Sequence, residues 1–429
     1  MSFKNENYKE RLIDKKIKNY LEVFGAISIE GPKWCGKTWS SLNCANSVIY
    51  MDDDENKTRA EIDVKSIFSH DKNALPQLID EWNLVPSIWD ATRRECDRTT
   101  DAGNYILTGS TTLPKKIQKE KIKHSGAGRI GIIKMSTMSL YESGDSSGKA
   151  SIMDMYNGIQ KSMPTEEIEL KRLANLIVRG GWPRNIDVSE ERFHIIPRGY
   201  IDSIIRDNMI DDEDKKRDKD KMLMLLRSLA RNESSIVSNN TIIKDIDAVE
   251  SECPLSSTNT LADYLDVLNR LYLLENQSAY SENYRSRERV GKAPKRHFTD
   301  PSLACACLNL NSDKLLSDFK TFGFLFEGLV ERDLRIYMDY LNGSLHHFRD
   351  NVTGLEVDAI LEFEDGEYAA IEIKLGFNKV DEAIDNLIKF NNNVTKSPKF
   401  MCVIVGKGSG IARDSKTGIY IVPITALKP

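Results

Sequence analysis

Gly31-Pro32-Lys33-Trp34-Cys35-Gly36-Lys37-Thr38 is the stretch on which the fold of this 429-residue chain turns. Two glycines flank four residues, and Lys and Thr follow. Glycine tolerates the backbone angles that let consecutive N–H groups turn inward around phosphate oxygens. Lys37 then reaches the outer phosphates of a nucleoside triphosphate, and the Thr38 hydroxyl offers an oxygen to Mg²⁺. The apolar run Ala26-Ile27-Ser28-Ile29 precedes the loop as a short strand, and Trp39 to Cys44 opens a helix behind it. Strand, glycine loop, helix is the context this pattern needs, and such a helix turns its positive end toward the anion. Gly31 to Thr38, with Trp39, therefore form the expected ATP site.

Working outward, Lys9 to Phe24 reads as an amphipathic helix and Val48-Ile49-Tyr50-Met51 as a second strand. Leu78-Ile79 leads into Asp80-Glu81, 43 residues after Lys37. An Asp in that place holds Mg²⁺ beside Thr38, and the adjacent Glu81 orients the water that attacks the γ-phosphate. Pro76 and Gln77 interrupt the apolar run, so this strand is expected to start late. Tyr105-Ile106-Leu107-Thr108 is a further strand. Thr108 at its end, or Ser110 just beyond, is placed to sense the γ-phosphate. Arg129 closes the Gly-rich run His124-Ser125-Gly126-Ala127-Gly128-Arg129. It suits an arginine finger acting in cis or on a neighbouring subunit of a homo-oligomer, or a plain surface ion pair. The alternation of strands and helices predicts an α/β fold with a parallel sheet.

Composition sets the limits. The length suggests roughly three domains. Charged residues are 29% and the net charge is -5, so no global positive field marks a nucleic-acid binder. No apolar run approaches the ~18 residues of a membrane span. Met1 to Tyr20 lacks the apolar core of a signal peptide, which predicts a cytoplasmic protein. The seven cysteines are scattered and odd in number, as expected of reduced thiols. Cys305-x-Cys307 reads as buried packing.

Beyond the loop Gly144 to Gly148 the chain looks mainly helical to about Leu226, and Asp211 to Lys221 reads as a solvated face or linker. Residues 228 to 285 have the pattern of a winged helix-turn-helix: helices within Ile236 to Ala248, an amphipathic helix from Ser256 to Leu271, and a wing strand from Leu273 to Tyr280. A basic segment follows, with Arg285, Arg287, Arg289, Lys292, Lys295 and Arg296. It reads as a flexible linker or a DNA contact. The expected divisions are 1–148, 149–227, 228–285, 286–297 and 298–429.

Near the C-terminus, Glu356 to Phe363 and Tyr368 to Leu375 are two strands around Glu364-Asp365-Gly366, a three-residue hairpin loop with Gly in the left-handed position. That register pairs Phe363 with Glu367 and sets Asp358 opposite Glu372, with Lys374 on the same face. A two-residue turn would send Asp358 to the other face. Asp followed by Glu-x-Lys on adjacent strands resembles the PD-(D/E)xK nuclease superfamily. The preceding helix, Phe322 to Tyr337, carries Glu327 where such domains often hold an acid. Glu327, Asp358, Glu372 and Lys374 are thus a candidate second metal site, the acids holding Mg²⁺ and Lys374 stabilising charge. A solvated ion-pair cluster is the plainer reading.

Taken together, Ile79-Asp80-Glu81-Trp82, Ile106 to Ser110, His124 to Arg129 and Arg179-Gly180-Gly181-Trp182-Pro183 resemble a prokaryotic AAA-type ATPase family whose members carry a C-terminal domain of unknown function. The resemblance covers nearly the whole chain. It implies an AAA-like core with ATP and Mg²⁺, followed by a helical and winged-helix middle region and a C-terminal α/β restriction-endonuclease-like domain. Pro76-Gln77 and the bulky Trp34-Cys35 depart from the family pattern. Four functions are compatible: a nucleotide switch coupled to DNA or a protein partner, an ATP-regulated metal-dependent nuclease, a small-molecule phosphotransferase, and a nucleotide-binding scaffold with little turnover. The adjacent acids at Asp80-Glu81 and the large C-terminal half argue against the phosphotransferase.

Overall fold

In the computed structural model, Ala26–Glu30 forms a strand (β1) buried on both faces. The structure describes residues 6–99, 101–113, 115–207, 218–247, 258–283, 285–286, 289, 293–350 and 352–429. Burial on both faces is what a parallel sheet with helical crossovers demands, and β1 accordingly lies inside one. Its companions are β2 (Ser47–Tyr50), β3 (Gln77–Asp80), β4 (Tyr105–Gly109) and β5 (Ile130–Lys134), in the order β2-β3-β4-β1-β5, all parallel. Side chains alternate across the sheet. Ile27, Ile29, Leu78, Ile106 and Ile133 share one cluster with Ile17 of the helix α1 (Ile13–Leu21). Ile49, Ile79, Tyr105 and Leu107 share another with Trp82 and Trp89, the latter on α4 (Ser87–Thr99). The other helices here are α2 (Lys37–Leu42), α3 (Asp54–Ile62) and α5 (Lys115–Lys121). β3 begins directly after Pro76, as the late start required.

The chain divides into two units. The first is Met1–Thr137 with Leu268–Leu273; the second is Met138–Val267 with Leu274–Pro429. The helices of the rest of the chain are α6 (Ile152–Tyr156), α7 (Leu170–Arg179), α8 (Ile195–Asp207), α9 (Lys219–Arg231), α10 (Asn239–Asp247), α11 (Thr258–Arg270), α12 (Pro301–Cys307), α13 (Ser312–Ser317), α14 (Phe319–Tyr340) and α15 (Val380–Asn393). A three-stranded antiparallel sheet joins β8 (Ser235–Ile236), β10 (Lys295–Phe298) and β9 (Leu274–Gln277) in that order. Trp182 is wholly buried. Its indole N–H donates to Ser302 Oγ at 2.9 Å and its ring lies 4.9 Å from that of Tyr200, so it anchors helices by packing.

The strands β11 (Ser344–Arg349), β12 (Glu356–Glu362), β13 (Tyr368–Lys374), β14 (Phe400–Val405), β16 (Tyr420–Pro423), β15 (Gly410–Arg413) and β7 (Met163–Pro164) make a seven-stranded sheet in that order. β6 (Ala150–Ser151) pairs with β17 (Leu427–Lys428). The stretch after residue 148 is therefore not simply helical. Two short strands interrupt it, each pairing with the backbone of a strand from the chain's C-terminal end, as exposed strand edges favour. β12 and β13 pair as the three-residue loop requires: the Phe363 N–H donates to Glu367 O at 2.9 Å, and Gly366 sits at φ 79°.

The basic segment needs a correction. Lys295–Phe298 is a strand and no linker, and Lys295 is buried. Arg289 grips Glu362 through both terminal nitrogens at 3.1 and 3.0 Å, and Arg296 donates to Asn239 Oδ1 at 2.6 Å. Hydropathy misreads such residues because their charges are matched inside the fold. Arg287, Lys292, Cys253 and most of Asp211 to Lys221 lie outside the described residues. Cys305 is a buried free thiol, and Cys307 is free and half-buried. No described helix is long and apolar enough to cross a membrane.

Candidate functional site

Every parallel strand of the first sheet ends at the same edge, and the polar residues gather there. β1 runs into Gly31, where an added Cβ would stand 2.2 Å from Met135 O, so only glycine fits. Trp34 and Gly36 take left-handed backbones, at φ 64° and 108°, which turns their amides into the loop. The bulk of Trp34 and Cys35 does not crowd the loop. Trp34 is 57% exposed, whereas Cys35 is buried in the core. Trp39 is also exposed. Pro32 is buried and Lys33 exposed. Lys37 Nζ donates to the carbonyls of Gly31 and Pro32, both at 2.9 Å, across the loop.

The neighbouring strand ends meet this loop in rungs. Thr38 Oγ1 donates to Asp80 Oδ1 at 2.9 Å. Thr108, at the end of β4, donates to the same Asp80 oxygen. Asp80 is buried, and burial lifts its carboxyl above the ordinary range; the Thr108 and Thr38 hydroxyls pull back, while the Glu81 and Asp52 carboxylates push up further. Ser110 Oγ donates to Glu81 Oε1 at 2.9 Å. Asn83 Nδ2 donates to Thr111 Oγ1 at 3.0 Å. Glu81 itself sits at φ 53°, a left-handed backbone that strains a residue with a Cβ. The structure thus brings Gly31 to Trp39, Asp80, Glu81, Thr108 and Ser110 to one edge.

Arg129 falls elsewhere. It precedes β5, whose first residue, Ile130, is level with Ala26 at the start of β1. The phosphate loop follows the other end of β1, about 15 Å away at ~3.3 Å per residue. Arg129 Nε instead donates to Asp97 Oδ1 at 2.8 Å, and that partner holds the guanidinium in its charged form. Arg129 thus stands at the end of the sheet opposite the phosphate loop.

Two residues that sequence reading missed, Arg11 and Tyr8, brace the loop and the helix behind it. Arg11 donates to Cys35 O at 2.8 Å, Ser136 O at 2.9 Å and Thr137 O at 3.0 Å. Tyr8 OH donates to Asp14 at 2.7 Å and meets Ser40 Oγ at 2.8 Å. No spacing signals such partners, since Arg11 and Thr137 stand 126 positions apart.

The donor set suits Mg²⁺. Thr38 Oγ1 and Asp80 Oδ1 are hard oxygens, already within hydrogen-bond distance, and the immediate partners of Asp80 are hydroxyls that rotate freely.

The second cluster is built differently. Lys374 Nζ lies 2.6 Å from Glu372 Oε2 and 3.1 Å from Asp358 Oδ2. Asn386 Nδ2 donates to Glu372 Oε1 at 2.8 Å, and the Ile373 N–H to Asp358 Oδ2 at 2.8 Å. Glu327 is paired with Lys295, whose Nζ also lies 2.8 Å from Glu331 Oε1 and 3.3 Å from Asp358 O. His297 Nε2 stands 2.8 Å from Glu331 Oε2. Burial, then the Asp358 carboxylate, raises Glu372 to about 8, only partly offset by the shared Lys374. Burial likewise raises Glu327 to about 8, against the pull of Lys295. Glu331 goes the other way, to about 2, because His297 and Lys295 outweigh burial. Asp358, Glu372 and Lys374 thus converge, while Glu327 pairs with Lys295, whose ammonium also meets the Asp358 carbonyl. Among the described residues no three acids, histidines or cysteines are arranged to hold a metal.

Three family models match parts of the chain. Residues 24–143 match an AAA domain, 170–314 a domain of unknown function (DUF8612), and 322–427 another (DUF4143). The chain has no match among curated proteins. Among solved structures, a Walker-type ATPase of Pyrococcus abyssi is 13% identical with a TM-score of 0.43, over 72% of this chain and 100% of that one. The ORC2 protein of Aeropyrum pernix, in ADPNP-ADP complexes, is 11% identical with a TM-score of 0.36, over 75% of this chain and 97% of that one. RuvB of Thermotoga maritima is 16% identical with a TM-score of 0.26, over 62% of this chain and 88% of that one. These structural likenesses are too distant to say what this chain does. Residues 24–143, which match the AAA domain, hold the parallel five-stranded sheet β2-β3-β4-β1-β5 of an α/β fold.

Proposed function

We propose that the chain is a Mg²⁺-dependent ATPase working as a nucleotide switch. The observation that carries this reading is the row of rungs at one sheet edge, Thr38–Asp80–Thr108 and Glu81–Ser110, beside a loop whose backbone is turned for phosphate. In this reading the Gly31 to Thr38 amides and Lys37 hold the triphosphate. Thr38 and Asp80 would hold Mg²⁺, which would supply charge neutralisation for the transferred phosphate. Glu81 accepts the proton of the attacking water, with Ser110 fixing its carboxylate until then. Thr108, whose hydroxyl donates to Asp80, would sense the γ-phosphate. Arg129 serves a neighbouring copy in a homo-oligomer and not its own chain.

Residues 228–285 and 298–429 supply the output, as a winged-helix-like module and a PD-(D/E)xK-like scaffold. Arg289, Lys295 and Arg296 have internal partners, which weakens the DNA version and favours a protein partner. If DNA is bound nonetheless, affinity falls steeply with salt. The lysine pairing of Glu327, Asp358 and Glu372 argues for a scaffold over a nuclease. Incubating plasmid with Mg²⁺ or Mn²⁺ beside an Asp358→Ala control checks this, and no cleavage is expected.

Phosphate release from ATP is the deciding assay. Wild type should turn over ATP without an acceptor, and Glu81→Gln should bind ATP and retain it. Equal turnover by the two proteins would overturn the reading.

A further inference from the structure

Tyr272 sits where a helix normally ends in glycine. α11 closes with the Leu273 N–H on Leu268 O at 3.0 Å and the Tyr272 N–H on Asn269 O at 3.0 Å. Those two bonds define a Schellman cap, whose penultimate residue must take a left-handed backbone. Tyr272 takes it, at φ 56°. A side chain with a Cβ is strained there and glycine is not. Helix capping therefore does not explain the tyrosine.

Its hydroxyl does. Tyr272 OH lies 2.7 Å from Glu30 Oε2, to which it donates, and 2.6 Å from Thr112 Oγ1. The Thr112 N–H donates to Arg270 O at 2.9 Å, fixing the same helix end. Glu30 is the last residue of β1, directly before Gly31 of the phosphate loop. Thr112 lies two residues beyond Ser110, the partner of Glu81. The rungs from Thr38 to Asp80 and Thr108, from Glu81 to Ser110 and from Asn83 to Thr111 thus continue through Thr112 and Tyr272. They return to the phosphate loop at Glu30.

We infer that Tyr272 is a positioning residue that couples the nucleotide site to α11. The inference rests on the phosphate-site reading above. Filling the loop or moving Glu81 shifts β1's end against the loop after β4, and the Tyr272 hydroxyl spans those two segments. Only the last turn of α11 and its cap, Leu268–Leu273, belong to the first unit; the same helix up to Val267 belongs to the second. Those earlier turns are anchored there, with Leu261 buried and Tyr264 OH accepting the Asp218 N–H at 2.9 Å. A continuous helix held at both ends transmits a change of cap to its body. Coupling is reciprocal, so a partner that grips α11 alters ATP affinity by the same factor.

The test is amide hydrogen exchange across residues 258–267 of the full chain, without nucleotide and with Mg²⁺ and a non-hydrolysable ATP analogue. In wild type the analogue should change protection there by about 5-fold or more, the low end of ordinary coupling. Tyr272→Phe, lacking only the hydroxyl, should bind the analogue within about threefold of wild type but lose that change. Tyr272→Gly relieves the left-handed strain, so it should cap α11 at least as well and lose the response too. A full response in both variants, or none in wild type that binds the analogue, would overturn the inference. No binding by wild type would instead remove the phosphate-site reading, and this inference with it.

Discussion

Two of the acidic clusters among the described residues are neutralised in opposite ways. At the phosphate loop, Asp80 is met by two neutral hydroxyls, from Thr38 and Thr108, while Lys37 rests on backbone carbonyls. Around the C-terminal sheet, Glu372 and Asp358 of its strands are met by the Lys374 ammonium, and Glu327 and Glu331 of α14 by that of Lys295 on β10. A hydroxyl leaves an acid's charge uncompensated and yields readily to a cation. A lysine cancels the charge, and displacing it strands a buried ammonium. On these grounds the first arrangement would admit a cation more readily than the second.

The largest expected effect breaks the first half of that contrast. Glu81→Gln should cut ATP turnover by a factor on the order of 10²–10⁴ with binding retained, read by phosphate release and by retained nucleotide. Next, Lys295→Met removes the ammonium shared by Glu327 and Glu331. It should cost about 3–5 kcal/mol in urea unfolding, as stranding a buried charge does. The matching Lys37→Met should change stability by under about 1 kcal/mol, because Lys37 has carbonyl partners and no buried anion. Equal losses from the two lysines would erase the contrast.

The pH dependence sharpens it. Glu372 and Glu327 are raised to about 8 in the fold, against 4.5 ordinarily, so the folded state holds their protons longer than the unfolded chain. Stability of this region is then fully present below about 4.5 and is lost as pH rises toward 8. Glu331, lowered to about 2, acts in the opposite sense, but only as pH falls below 4.5. Glu372→Gln should therefore flatten the decline between pH 5 and 8 by up to about 1.4 kcal/mol per pH unit, read from urea midpoints. An unchanged slope would mean Glu372 stays ionised beside Lys374. The smallest effect is at Thr108→Val, which deprives Asp80 of one hydroxyl. About tenfold more Mg²⁺ should be needed for half-maximal turnover, by the usual size of outer-shell losses.

Much of the first site was legible because its parts are local. Gly31 to Thr38 is contiguous, and Asp80 with Glu81, and Thr108 with Ser110, lie at or next to the ends of two apolar strands. The β12–β13 register was legible for the same reason, since one loop with Gly366 sets it. What escaped is long-range. Tyr272 and Glu30 are 242 positions apart, and nothing in either neighbourhood announces the other. Lys295 and Arg289 were misread because hydropathy treats charge as solvent-seeking, whereas burial here depends on acids from distant strands and helices. Arg129 was correctly seen beside a Gly-rich loop, but only the parallel order of β1 and β5 reveals which sheet edge it occupies.

The most direct test of the central claim is calorimetric titration of the purified, folded chain with Mg²⁺ and ATP. The account predicts saturable uptake at one site, weakened about 100-fold by Lys37→Ala, as expected when one charge-assisted contact to phosphate worth about 1.5–3 kcal/mol is lost. No uptake by the wild-type chain, or equal uptake by Lys37→Ala, would contradict it.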